Sequence, residues 1–209
     1  MRSIRTLTIL GILLGFIANT RADDDFLKPD NWEGLIEAYW TVKDGTVTGT
    51  TKEQQKFNTF LCSKQKYKDF EMTFQIRLKG TDAANSGIQF RSKIVDMKNY
   101  AVGGPQADIG KGYWGSLYGE RFSAKGEFAG GHMMKQAPAD KVTPTLKKDD
   151  FNEYSISCKG KHVTIKVNGV VCVDQDFEIL PEEGIIAFQL HAGPPMEVTF
   201  KDIVFKELK

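Results

Sequence analysis

Phe70-Glu-Met-Thr-Phe-Gln-Ile-Arg-Leu-Lys79 decides the fold class. Phe70, Met72, Phe74, Ile76 and Leu78 alternate with Glu71, Thr73, Gln75, Arg77 and Lys79. Successive side chains of an extended chain point to opposite faces, so this strict period of two predicts a strand with one apolar face. Residues 86–93 repeat the pattern, with Ile88 and Phe90 set against Gln89 and Arg91. Asp44-Gly45 lies between residues 39–42 and 47–50, and Asn168-Gly169 between residues 162–167 and 170–173. Both pairs supply the positive φ that a tight hairpin turn needs. Residues 154–158, 184–191 and 198–205 add further strands, and only residues 31–37 and 51–57 have room for a short helix. Many short strands without crossover helices predict an all-β antiparallel two-sheet jelly-roll sandwich, with a single closed barrel as the alternative.

Charge excludes one partner class. The 209 residues hold 28 Lys and Arg against 27 Asp and Glu, so the basic surplus expected of a nucleic-acid binder is missing. Arg2 and Arg5 precede an apolar run over residues 7–17, and Thr20 and Ala22 place small residues before Asp23. That is the three-part pattern of a cleaved signal peptide over residues 1–22. The apolar run is well short of the ~20 residues a bilayer requires, so a periplasmic or secreted protein without a membrane anchor is expected. Residues 23–209 read as one domain, with no internal repeat and no linker. Cys62, Cys158 and Cys172 are too few, and odd in number, for a disulfide scaffold. A Cys158–Cys172 bridge stays open, although buried free thiols fit their apolar neighbours better.

Residues 99–131 break the alternation. Glycines here interleave with Tyr113, Trp114 and Tyr118 and with Gln106, Asp108, Lys111, Glu120 and Arg121. The stretch reads as long loops carrying a site over a rigid sheet. Strand parity points to the same face: Gln89-x-Arg91 and Gln189-x-His191 put planar, multiply hydrogen-bonding groups opposite the apolar side. Such groups suit sugar hydroxyls and carbonyls. A concave binding face of Gln89, Arg91, Gln106, Trp114, Tyr118 and Gln189 is therefore expected. His191, before Gly193-Pro194-Pro195, falls at a sheet rim, and Asp108 and Glu120 sit among aromatics able to raise a carboxyl pKa. The chain lacks a Gly-x-Ser-x-Gly elbow, a phosphate-binding glycine loop and a dinucleotide fingerprint. No cofactor is required by any motif. A divalent metal on Asp108, Glu120 or His191 is compatible with their donor types, though no spacing demands one.

Several elements then occur in order: Trp40-Thr-Val-Lys-Asp-Gly45, Asn85-Ser-Gly-Ile-Gln-Phe-Arg91, Gly104-Pro-Gln-Ala-Asp108, Leu117-Tyr-Gly-Glu120, Asn152-Glu-Tyr-Ser-Ile156, Val167-Asn-Gly169, Gly184-Ile-Ile-Ala-Phe-Gln-Leu-His191 and Phe200-Lys-Asp-Ile203. Together they resemble the 3-keto-disaccharide hydrolase, or 3-keto-glucoside 1,2-lyase/hydratase, domain family over residues 26–208. The resemblance implies a concanavalin A-like fold and an exported protein acting on oxidised glycosides. It also implies an upstream sugar 3-dehydrogenase, since the ketone must be made elsewhere. Elimination from a 3-keto sugar needs a base, an acid for the leaving oxygen and donors for an enolate. On that chemistry His191 is the expected base, Glu120 or Asp108 the acid, and Arg91 with Gln89 the enolate donors. A non-catalytic carbohydrate-binding module is the alternative, because fold alone does not fix function.

Overall fold

The computed structural model describes residues 25–208, so the leader read over residues 1–22 lies outside the described residues. Two antiparallel sheets face each other. The first runs β1 (Trp32–Glu33), β4 (Thr59–Tyr67), β13 (Gly184–Leu190), β6 (Asn85–Asp96), β7 (Ala101–Gly110), β8 (Leu117–Glu120) and β9 (Gly131–Lys135). The second runs β12 (Val170–Asp176), β11 (His162–Val167), β10 (Asn152–Lys159), β5 (Asp69–Gly80), β14 (Met196–Leu208), β3 (Thr46–Thr51) and β2 (Trp40–Lys43). This is the jelly-roll sandwich that the alternation predicts.

The stretch that decided the fold is central to the second sheet. β5 pairs with β10 on one side and β14 on the other, and Phe70, Met72, Phe74 and Ile76 are buried. Their face meets Ile88, Phe90 and Phe188 of the first sheet in one core. The rings of Phe188 and Phe200 approach to 4.8 Å across the sandwich, and Phe70 meets Phe90 edge-on at 5.7 Å. Both hairpin turns form as read, with positive φ at Asp44, Gly45, Asn168 and Gly169.

Three readings need correction. Residues 101–110 and 117–120 are not loops; they are strands β7 and β8 in the body of the first sheet. Every residue of β7 is buried, so both faces are covered and apolar alternation vanishes. Residues 59–67 form β4, which alternation did not single out. Residues 51–57 hold no helix; Gln55 instead forms a bridge to Gly193. The one α-helical turn near the start is α1 (Ile36–Tyr39). Among the described residues no helix is long and apolar enough to cross a membrane.

The three cysteines are buried and unpaired. Burial pushes the Cys158 and Cys172 thiols up to about 11 and the Cys62 thiol higher still, so none offers a thiolate nucleophile at neutral pH.

Phe74 is 2% exposed and stacks on Tyr154 at 5.2 Å. Phe74→Ala should cost about 3–5 kcal/mol through the cavity it leaves, while Gln75→Ala, on the opposite face, should cost less than about 1 kcal/mol. Denaturant titration reads both; equal losses would contradict the strand's orientation.

Candidate active site

Cross-strand register assembles the site. Leu117, Ala107, Ile88 and Phe188 point into the core, so their chain neighbours face outward. Tyr118 lies opposite Gln106, Gln106 opposite Gln89, and Gln89 opposite Ala187. Two residues along β7 and β8 from this row stand Asp108 and Glu120.

The row is wired by amides. Gln106 Nε2 donates to Asp108 Oδ1 at 2.6 Å and to Gln189 Oε1 at 3.1 Å, while Gln106 Oε1 accepts from Gln89 Nε2 at 3.2 Å. All four side chains are buried, where each unpaired polar group costs free energy, and Gln89 Oε1 and Gln189 Nε2 are left without a partner. Gly87 leaves the space for this crossing. A Cβ there would lie 2.7 Å from Gln106 Cγ and Cδ, which gives the Asn-Ser-Gly-Ile element a packing reason for its glycine.

Above this floor lies a 370 Å³ cleft bordered by Gln106, Asp108, Tyr118, Glu120 and His191. Burial holds the Asp108 carboxyl up at about 7; the Gln106 bond opposes the shift and the charge of Glu120 adds to it. Glu120 is also raised, again chiefly by burial, with His191, Arg121 and Asn58 pulling the other way. Burial and the neighbouring carboxylates raise Tyr118, which therefore stays protonated as a donor.

His191 is positioned from its loop. Gln55 and Gly193 exchange backbone bonds of 2.8 and 2.9 Å. Asn58 accepts from Ala192 N at 2.8 Å and donates to Glu120 Oε1 at 3.3 Å. His191 Nδ1 lies 2.6 Å from the Ala192 carbonyl. A carbonyl only accepts, so Nδ1 carries the proton and Nε2 keeps a lone pair in the neutral ring.

Five of the nine residues read from sequence therefore border the cleft, and Gln89 and Gln189 lie beneath it, bonded to Gln106 but not lining it. Two do not belong there. Trp114 turns to a neighbouring cleft lined by Leu78 and Leu146. Arg91 is a correction: its φ is +46°, and the β6–β7 register shifts between Gln89 and Lys93, so parity fails at this bulge. Its guanidinium instead donates to Lys68 O, Gly160 O, Pro181 O and the Asp69 carboxylate. Asn58, Asn85 and Asp82, the ion-pair partner of Lys111, belong to the site region and were missed. Asn85 stands in a quoted motif; nothing local marks Asn58 or Asp82. Among the described residues no three His, Cys, Asp or Glu side chains cluster as ligands for one ion.

The arrangement combines a fixed imidazole, two partly desolvated carboxyls and a phenol. Residues 23–206 match the 3-keto-alpha-glucoside-1,2-lyase-like domain. The chain belongs to this family. No curated protein sequence matches it. Among solved structures it is similar to a Bacillus subtilis protein of unknown function with a galectin-like fold (12% identity, 90% of this chain and 93% of that one, TM-score 0.61). It is similar too to the carbohydrate-binding module CBM66 of Bacillus subtilis (13% identity, 85% and 96% coverage, TM-score 0.60). The catalytic domain of a Thermotoga petrophila RKU-1 endo-1,3-beta-glucanase is a third (11% identity, 87% and 93% coverage, TM-score 0.55). At these identities the likeness is one of fold.

A carboxyl whose folded pKa lies above its unfolded value lets the native state bind more protons, so stability falls as pH rises between the two values. For Asp108 that window runs from about 3.8 to about 7. Asp108→Asn keeps an acceptor for Gln106 and does not titrate. It should gain on the wild type by on the order of a few kcal/mol between pH 4 and 7.5. Denaturant titrations across that range read the difference; a constant offset would show that Asp108 is not displaced upward.

Proposed function

We propose that this is an exported enzyme that cleaves 3-keto-glycosides by elimination across C1 and C2. The observation carrying this reading is the convergence of Asp108, Glu120 and His191 on one cleft, with Asp108 held at about 7. A carboxyl at that value can both give and take a proton near neutrality. Family membership supports the same chemistry.

The ketone at C3 acidifies the proton at C2. His191 Nε2 removes it, and the C2–H electron pair becomes an enolate on the C3 oxygen. Tyr118, rather than Arg91, is the donor toward that oxygen. When the carbonyl re-forms, a C1–C2 double bond forms and the C1–O bond breaks. Asp108 or Glu120 protonates the departing oxygen. Addition of water, with hydroxyl to C1 and hydrogen to C2, completes a net hydrolysis. The floor amides hold Asp108 in place, and Asn58 holds Glu120 and the His191 loop together. Oxidation at C3 belongs to a separate dehydrogenase acting earlier.

A carbohydrate-binding module would need neither a displaced carboxyl nor a histidine with a free lone pair, which is why catalysis is the preferred reading. Incubating the wild type with a 3-keto-glucoside should release the sugar or its enone; saturable binding without release would favour the module. His191→Ala should lower turnover by roughly 10²–10⁴-fold, the usual size of a lost general base. Near-wild-type rates in that variant would remove His191 as the base.

A further inference from the structure

A second cleft, of 550 Å³, adjoins the first. Asp82, Ala84 and Lys111 border both, so the Lys111–Asp82 ion pair forms the ridge between them. The β7–β8 turn serves both sides. Tyr113 borders the first cleft and Trp114 the second. The turn is tightly fixed, with the amides of Tyr113 and Trp114 donating to Gly110 O at 2.9 and 3.1 Å. Gly115, at φ +83°, sits where a Cβ would lie 2.4 Å from Cys172 Sγ. The half-buried Trp114 indole is therefore held beside Leu78 and Leu146.

Several polar side chains around this cleft are already committed. Asn152 donates to Lys147 O and Asp150 O and accepts from Lys147 N and Asn168. Thr81 accepts from Ala83 N, and Lys111 and Asp82 hold each other. What remains is apolar surface on Trp114, Leu78 and Leu146 and the hydroxyls of Thr81 and Thr143, with exposed Lys147, Lys148 and Asp149 at the rim, one net positive charge.

We propose that this cleft receives the leaving group of the glycoside, and that the group it favours is an aromatic ring bearing a carboxylate. The proposal rests on the cleavage reading above. Beside Trp114, Leu78 and Leu146 the cleft offers a sugar ring few directional partners, the hydroxyls of Thr81 and Thr143 and the rim charges. An aromatic ring needs an apolar face and an indole to stack on, and its carboxylate meets the lysines at the rim. The two clefts share Asp82, Ala84 and Lys111, so a sugar lying in the first with C1 toward this ridge has its substituent beside the entrance to the second.

The test compares methyl and 4-carboxyphenyl 3-keto-glucosides as substrates. Trp114→Ala should raise KM for the carboxyphenyl substrate at least tenfold more than KM for the methyl one, and Trp114→Phe should recover most of the difference. Equal changes for both substrates, or none, would overturn the assignment. Trp114 also packs on the core, so a measurement on the unmodified protein stands beside the variants. Trp32 and Trp40 are 2% and 5% exposed, and 4-hydroxybenzoate should therefore quench the emission of Trp114 saturably. Absence of saturable quenching overturns the proposal. If neither glycoside is cleaved while quenching saturates, the cleavage reading fails and the aryl site stands.

Discussion

Arg91 carries a full charge into the interior, and one end of the sandwich is organised by its need for partners. Its side chain is 1% exposed. Its carboxylate partner Asp69 is a quarter exposed, so the buried guanidinium depends on its three carbonyl acceptors as well as on that charge. The four bonds it makes reach the start of β5, the β10–β11 turn and the loop before β13, so a single side chain ties both sheets together. Asp69 Oδ1 also accepts from Gly160 N. Gly184 is pressed against the same bulge, with room for no Cβ. β6 and β13 connect this anchored end with the end that holds the candidate site, where Asn85 and His191 stand.

Fixing one end rigidly has a consequence at the other. Gln106 ties the outward row of Gln89, Gln106 and Gln189 together by hydrogen bonds, which stiffens the floor on which Asp108 rests. A carboxyl held this way cannot turn to water to recover its hydration, so burial raises its pKa instead of reorganising the site. Glu120 and His191 come from a different strand and a different loop, and Asn58 is the short link between them. The sheet fixes Asp108, Glu120, His191 and Tyr118 relative to one another, the preorganisation that the proposed elimination would need.

The sequence carried most of the second sheet openly. β5 is buried on one face and wet on the other, and its alternation is a direct image of that. The hairpins showed through Asp44-Gly45 and Asn168-Gly169 because positive φ leaves a chemical signature. β7 did not show, because a strand buried on both faces and built from glycine, alanine, proline and amides has no alternation to read. Gln106 and Asp108 of that strand, with Tyr118 and Glu120 of β8, nonetheless marked the candidate cleft, since polar groups set in a sheet stand out from its apolar residues. Arg91 was misplaced because parity counting assumes an unbroken strand, and a single left-handed residue reverses it. Asn58 acts through a contact 62 residues distant, and no local pattern encodes that.

Isotope exchange tests the central claim most directly. Elimination followed by hydration in D₂O places a solvent-derived deuterium at C2 of the released sugar, within a single turnover and faster than free 3-keto-glucose exchanges in the same buffer. The account predicts complete labelling at C2 in the product of the wild-type protein. Release of a sugar that retains its original C2 proton would contradict it, and would mean that the carboxyls of this cleft act directly at C1.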